Sequence, residues 1–139
     1  MQELEKNRIF GIIVTYNGIK WIKRCLESVL SSTVPIKIIL VDNNSNDGTM
    51  DFVKDNYPDI ILLGNTENLG FGKANNLGLQ EAIERQASHV LLINQDVYLD
   101  KDTVEKLLFF DDGESLLSPI HLNGSGQNFD YNFLKNSLN

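Results

Sequence analysis

A single cysteine, Cys25, is present among the 139 residues, so no disulfide can form within the chain. No apolar run approaches the roughly 18 residues that a membrane helix requires. The amino-terminal stretch, Met1 to Arg8, is polar and mixed in charge, without the apolar segment of a signal peptide. These absences point to a cytoplasmic protein. Basic residues are outnumbered, 12 Lys and Arg against 19 Asp and Glu, for a formal net charge of -7. That balance argues against broad nucleic-acid binding, which needs a basic surface to displace counterions. An anionic ligand would instead need positive charge from elsewhere, such as a divalent cation held by carboxylates. The alternative is that the acidic surplus only keeps the protein soluble. Histidine is scarce too. His89 has no His or Cys partner at ligand spacing, so it receives no metal role, and His121 reads as a loop residue. No Ser/His/Asp arrangement or other nucleophile stands out.

What the chain does have is 42% hydrophobic residues in a length suited to one domain. They alternate between strand-like runs and helix-like spacing. Ile9 to Val14 is a continuous, largely β-branched run, as expected of a strand covered on both faces. Ile22, Leu26, Val29 and Leu30 follow at helical spacing, with Trp21 and Cys25 as packing residues on the same helix. Ile36 to Val41, Ile60 to Leu63 and Val90 to Ile93 predict three more strands. Helices are predicted over Thr49 to Asn56, Lys73 to Gln86 and Asp102 to Phe110, the last with Asp100 or Asp102 near its N-terminus. Ser115 to Ser118 reads as the start of a fifth strand. This rhythm predicts βαβ crossovers and a mainly parallel sheet. Residues 1–119 form the folded part, and residues 120–139 form an Asn/Gly/Ser-rich tail without clear period.

Ligands of parallel sheets bind beyond the carboxyl ends of the strands. Those ends are Thr15-Tyr16-Asn17, Asp42-Asn43-Asn44, Gly64-Asn65 and Asn94-Gln95-Asp96. Asp96 reads equally well as an oxygen ligand for Mg2+ or Mn2+, with a diphosphate completing the shell, and as a turn or helix-cap aspartate. Asp42 opens a run, through Gly48, that favours an Asx-turn. The same carboxylate could accept a hydrogen bond from a base or ribose. Gly70-Phe71-Gly72-Lys73-Ala74-Asn75-Asn76 is a glycine-rich entry to a helix, where free N–H groups and Lys73 could meet an anion. A solvated lysine explains Lys73 as well. The segment is not a P-loop, since no Gly-Lys-Ser/Thr closes it.

Taken together, the strand ends resemble those of family 2 glycosyltransferases. Val14-Thr15-Tyr16-Asn17 resembles the opening motif. Val41-Asp42-Asn43-Asn44-Ser45-Asn46-Asp47-Gly48-Thr49 resembles the second, and Asn68 to Gly78 the third. Leu92-Ile93-Asn94-Gln95-Asp96-Val97 falls where the family has its DxD-like metal motif. The match runs from about Ile9 to Asp100 and is nearest to rhamnosyltransferase-like enzymes of bacterial surface polysaccharides. The resemblance implies a GT-A (Rossmann-like) three-layer α/β/α fold. It also implies inverting transfer of a sugar from a UDP-, dTDP- or GDP-linked donor to a hydroxyl of a glycan or lipid-linked acceptor, a base-activated displacement.

The same resemblance implies that Thr15, Tyr16 and Asn17 line the base pocket. Asp42 would contact the base, commonly uracil or thymine, and Asn44 would lie beside it. Gly70, Lys73, Asn76, Asn94 and Gln95 would contact the rest of the nucleotide sugar, and Asp96 would bind Mg2+ or Mn2+. Asn94 departs from the pattern by placing a neutral residue at the first acidic position. The family's catalytic base lies beyond the position of Asn139. The chain is therefore expected to be a donor-binding piece of a longer enzyme, inactive alone and peripheral to the inner membrane face when full length. The alternative from another class is a non-catalytic sugar-nucleotide-binding or interaction module. A receiver-like domain is disfavoured, because the first strand ends in Thr15-Tyr16-Asn17 rather than acidic residues.

Overall fold

All seven residues of the first strand, β1 (Ile9–Thr15), are buried, which accounts for its unbroken apolar sequence. β1 is flanked in parallel by β2 (Lys37–Asp42) and β4 (His89–Asn94), and β3 (Ile61–Gly64) pairs with β2. The order across the sheet is β3-β2-β1-β4. This comes from a computed structural model that describes residues 7–119, 121 and 122. The chain divides into one unit through Asp102 and a second from Thr103. The expected tail, residues 120–139, lies outside the described residues except for 121 and 122.

Alternation along the strands sends side chains to two helical layers. On one face Ile13, Leu40 and Ile93 pack with α1 (Ile22–Leu30) and α2 (Thr49–Asn56) through Ile22, Cys25, Leu26, Val29 and Val53. The α1 contacts fall at i, i+3, i+4 and i+7, the spacing of one helix face. On the other face Ile12, Val14, Ile39 and Val41 meet Ala74 and Ala82 of α3 (Phe71–Glu84). α3 lies so close to β1 that a Cβ on Gly78 would stand 2.5 Å from Ile12 Cγ2. Small residues on α3 thus set the thickness of that layer. Each fully buried Ile, Leu or Val of the two clusters contributes about 1.5–3 kcal/mol. The three-layer α/β/α arrangement matches the expected fold.

The structure departs from the expected elements in several places. β3 starts at Ile61, one residue late, and α3 starts at Phe71, two residues early. Gly70 precedes α3 without any side-chain capping bond, so no Ser, Thr, Asp or Asn marks the true start. Leu30, expected on the buried face of α1, is 52% exposed, and Leu92 on the edge strand β4 is 57% exposed. In the second unit α4 spans Thr103–Phe109. The expected strand at Ser115–Ser118 does not form. The Asp112 carboxylate instead accepts hydrogen bonds from Ser115 Oγ and from the amides of Ser115 and Glu114, holding a turn there. Those bonds, the Ser115 hydroxyl foremost, bring the Asp112 carboxyl down to about 2. Among the described residues, no helix is long and apolar enough to cross a membrane.

Candidate functional site

The strand order places a topological switch between β1 and β4: the chain steps outward from β1 to β3, then returns to the far side of β1. A cleft of about 360 Å3 opens at the carboxyl ends of those two strands. It is lined by Val14 of β1 and Tyr16 just after it, Asn94 of β4 with Gln95 and Asp96 just after it, Gly70 and Phe71 at the start of α3, and Asn43 and Asn68.

Two loops are stitched together beside it. Asn43 N donates to Thr15 O at 2.9 Å, continuing the β1–β2 ladder by one residue. Asn17 N donates to Ser45 Oγ, and Asn46 N donates back to Asn17 Oδ1, both at 2.9 Å. Asp47 joins both sides: Oδ2 accepts from Ile19 N at 3.0 Å, and Oδ1 accepts from Thr49 N and Thr49 Oγ1 at the start of α2. Partial burial alone would raise the Asp47 carboxyl. The bonds from Thr49 and Ile19 outweigh it and hold the group below the usual carboxylate range.

Asp42 is only 3% exposed. Its Oδ2 accepts from Ser45 N at 2.9 Å and its Oδ1 from Ser45 Oγ at 2.5 Å. This is the Asx-turn its sequence favours, and Asp42 does not line the cleft. Asp96 is exposed at the cleft, and its carboxylate accepts no hydrogen bond from any described residue. It acts through space on Cys25, whose thiol is buried in α1 and reaches toward Asn94 O at 3.6 Å. Burial, and then the charge of Asp96, push that thiol up to about 12, so it is no nucleophile.

Gln95 turns inward from its neighbour. Its Oε1 accepts from Thr15 Oγ1 at 2.7 Å and Tyr16 N at 3.1 Å, and its Nε2 donates to Tyr16 O at 3.3 Å. The ends of β1 and β4 are thereby tied side chain to backbone. A Cβ on Gly18 would stand 2.3 Å from Gln95 Oε1 and 2.5 Å from Thr15 Oγ1, so this close approach requires glycine.

Of the residues expected from sequence, Tyr16, Gly70, Asn94, Gln95 and Asp96 converge on the cleft, with Thr15 buried behind Gln95. Asn17, Asp42, Asn44, Lys73 and Asn76 lie outside its lining. Lys73 and Asn76 are exposed on α3, and Asn44 is exposed in the turn after Asp42. Val14, Asn43, Asn68 and Phe71 line the cleft without having been singled out. Phe71 and Asn68 were legible as parts of the glycine-rich helix entry. Asn43 carried no signal beyond its place in a turn-forming run. Among the described residues, no group of three or more His, Cys, Asp or Glu could hold a metal ion. Asp96 therefore fits a divalent cation only as a single protein carboxylate, with ligand oxygens and water completing the shell.

This sheet, with helices on both faces, is the GT-A type of fold. The model of the family "Glycosyl transferase family 2" matches residues 12–134, and the chain belongs to that family. It is 30% identical over 106 residues to the N-acetylglucosaminyl-diphospho-decaprenol L-rhamnosyltransferase of Mycobacterium tuberculosis, covering 70% of this chain and 34% of that protein. The chain thus spans about a third of that relative's length. Among solved structures, Staphylococcus aureus TarS 1–349 in complex with UDP shares the fold with a TM-score of 0.67. The sequences are 22% identical, over 81% of this chain and 39% of TarS 1–349. The mannosyltransferase PcManGT of Pyrobaculum calidifontis, in complex with GDP-Man and Mn2+, aligns with a TM-score of 0.62 at 27% identity. That alignment covers 73% of this chain and 31% of PcManGT.

Proposed function

We propose that this chain is the donor-binding part of an inverting glycosyltransferase that moves a sugar from a nucleoside-diphosphate donor to a hydroxyl acceptor in bacterial surface polysaccharide synthesis. One observation carries the reading: the switch-point cleft in a family 2 chain has a carboxylate, Asp96, at its mouth that accepts no hydrogen bond from any described residue. A diphosphate in this net-negative protein needs a cation beside it, and Asp96 is the group in the cleft able to hold one. The backbone amides that open α3 add positive potential where Gly70 and Phe71 line the cleft, and the exposed Lys73 adds to it from the same helix, outside the lining.

The residues divide the work. Tyr16 forms the wall of the cleft toward the base, with Thr15 and Gln95 holding its backbone. Asp42, Asn17 and Asn44 belong to the stitched loops on that side and shape it rather than line it. Gly70 and Asn94 face the diphosphate, and Asn76 follows on α3. When bound, Mg2+ or Mn2+ would supply Lewis-acid stabilisation of the leaving nucleoside diphosphate. The base that activates the acceptor is assigned to no described residue. The full-length enzyme would act in the cytoplasm, at the inner membrane face if its acceptor is lipid-linked.

The test is a calorimetric titration of this chain with UDP, dTDP and GDP, each in Mn2+ and in EDTA. Binding of one nucleotide, stronger in Mn2+, supports the donor-site reading. No binding of any of the three sinks it. Sugar transfer by a longer chain carrying this segment separates an enzyme from a binding module of the same fold.

A further inference from the structure

Asn43 is 2% exposed, yet it is a polar residue at the wall of an open cleft. Its amide is committed to a single neighbouring segment. Oδ1 accepts from Asn65 Nδ2 at 3.0 Å and from Leu69 N at 3.3 Å. Nδ2 donates to Gly70 O at 3.2 Å. The backbone partners fix the orientation of the amide: the Leu69 N–H can only donate and the Gly70 C=O can only accept, so the flipped form would lose both of those bonds. Its backbone N–H is held at the same time by Thr15 O.

The bonded segment, Asn65 to Gly70, is the connection from β3 to α3. Its near end is tied by Asn65 N to Asp42 O at 2.9 Å. At its far end, among the described residues, the tether from the β2 side is Asn43. Gly70 N donates within the loop, to Asn68 Oδ1, and Gly70 O accepts the first helical bond of α3 from Ala74 N at 3.2 Å. The same carbonyl that starts the helix is thus the one that Asn43 grips. Moving it would move Gly70, Phe71 and Asn68, three of the groups that line the cleft.

We propose that Asn43 is a positioning residue for nucleoside-diphosphate binding: it locks the end of the β3–α3 loop, and with it the N-terminus of α3, at the width the ligand requires. It does so without touching the ligand. This rests on the donor-site reading of the cleft. Loss of the side chain leaves the Leu69 N–H and Gly70 C=O to seek water or each other, and the wall shifts as a unit.

The experiment pairs UDP calorimetry in Mn2+ with amide hydrogen exchange on the same chain, for wild type, Asn43→Ala and Asn43→Asp. Asn43→Asp keeps both acceptor bonds and loses the donor to Gly70 O. Asn43→Ala is expected to speed exchange at Leu69, leave the β1 and β2 amides protected, and weaken UDP binding about tenfold or more, the loss of one well-placed bond. Asn43→Asp is expected to keep Leu69 slow and to bind with intermediate affinity. If Asn43→Ala does not fold, the same comparison between wild type and Asn43→Asp decides. If wild type binds UDP and the folded variants bind it equally well, the positioning role is overturned and the donor-site reading stands. If wild type binds no nucleoside diphosphate, both fall together.

Discussion

Asp42 ends β2 and Asp96 lies two residues beyond the end of β4, on opposite sides of β1, and their surroundings could hardly differ more. Asp42 is 3% exposed, with both oxygens occupied by Ser45. Asp96 is exposed at the cleft with no hydrogen bond from a described residue. A buried carboxylate is tolerated only when hydrogen bonds replace its water, so Asp42 is committed to the turn that follows it. An open carboxylate keeps its lone pairs for a ligand. The contrast teaches that acidic residues at or just past the ends of two strands can differ completely in setting within one fold: Asp42 builds the rim, and Asp96 stands open at it.

The contrast breaks first on stability. Asp42→Ala removes the acceptor for two bonds in a buried setting and should cost about 2–4 kcal/mol by denaturant titration. A loss under about 0.5 kcal/mol would mean that the turn holds itself. The next effect belongs to the Asp96 side, where Gln95 and not Asp96 does the bracing. Gly18→Ala drives a Cβ into Gln95 Oε1 and Thr15 Oγ1 and should cost about 1–3 kcal/mol. Unchanged melting would show that Gln95 yields freely.

Acid sharpens the same division. Asp47 is held below the usual carboxylate range in the folded protein, so its ionised form is favoured by folding. That contribution is fully present above the unfolded value of about 4 and is lost as pH falls through the lower folded value. Asp47→Asn should therefore flatten the acid limb of the stability curve below about pH 4. An unaltered limb would remove Asp47 from the loop stitching. The smallest expected effect is at Asp96 itself: Asp96→Ala should change stability by less than about 0.5 kcal/mol, since its carboxylate is exposed and accepts no hydrogen bond from a described residue. A larger loss would make it structural after all.

The layers were readable in advance because strands buried on both faces must be apolar along their middles, as β1 is from Ile9 to Val14 and β2 from Ile38 to Val41. The start of α3 was not, because glycine at its cap leaves no polar capping signature. Leu92 was misleading for a related reason: an apolar run reads the same at the edge of a sheet as at its centre, and β4 is an edge. Among the residues lining the cleft, Tyr16, Asn94, Gln95 and Asp96 were legible from strand-end motifs, beyond which parallel sheets bind, and Gly70 from the glycine-rich helix entry. Gln95's inward turn and Asn43's burial were not. Both depend on partners 22 to 80 residues away, and a run of Asn, Asp and Ser reads only as a turn whichever side chain points inward.

The most direct measurement is the binding of Mn2+ itself, followed by the electron paramagnetic resonance of the free ion, with wild type and Asp96→Asn, each with and without UDP. A site of one carboxylate completed by a diphosphate predicts weak Mn2+ binding by the protein alone. UDP should strengthen it sharply in wild type, and Asp96→Asn should lose that gain while keeping the fold. Equal Mn2+ binding by the two proteins in the presence of UDP would contradict the assignment of Asp96 as the metal ligand.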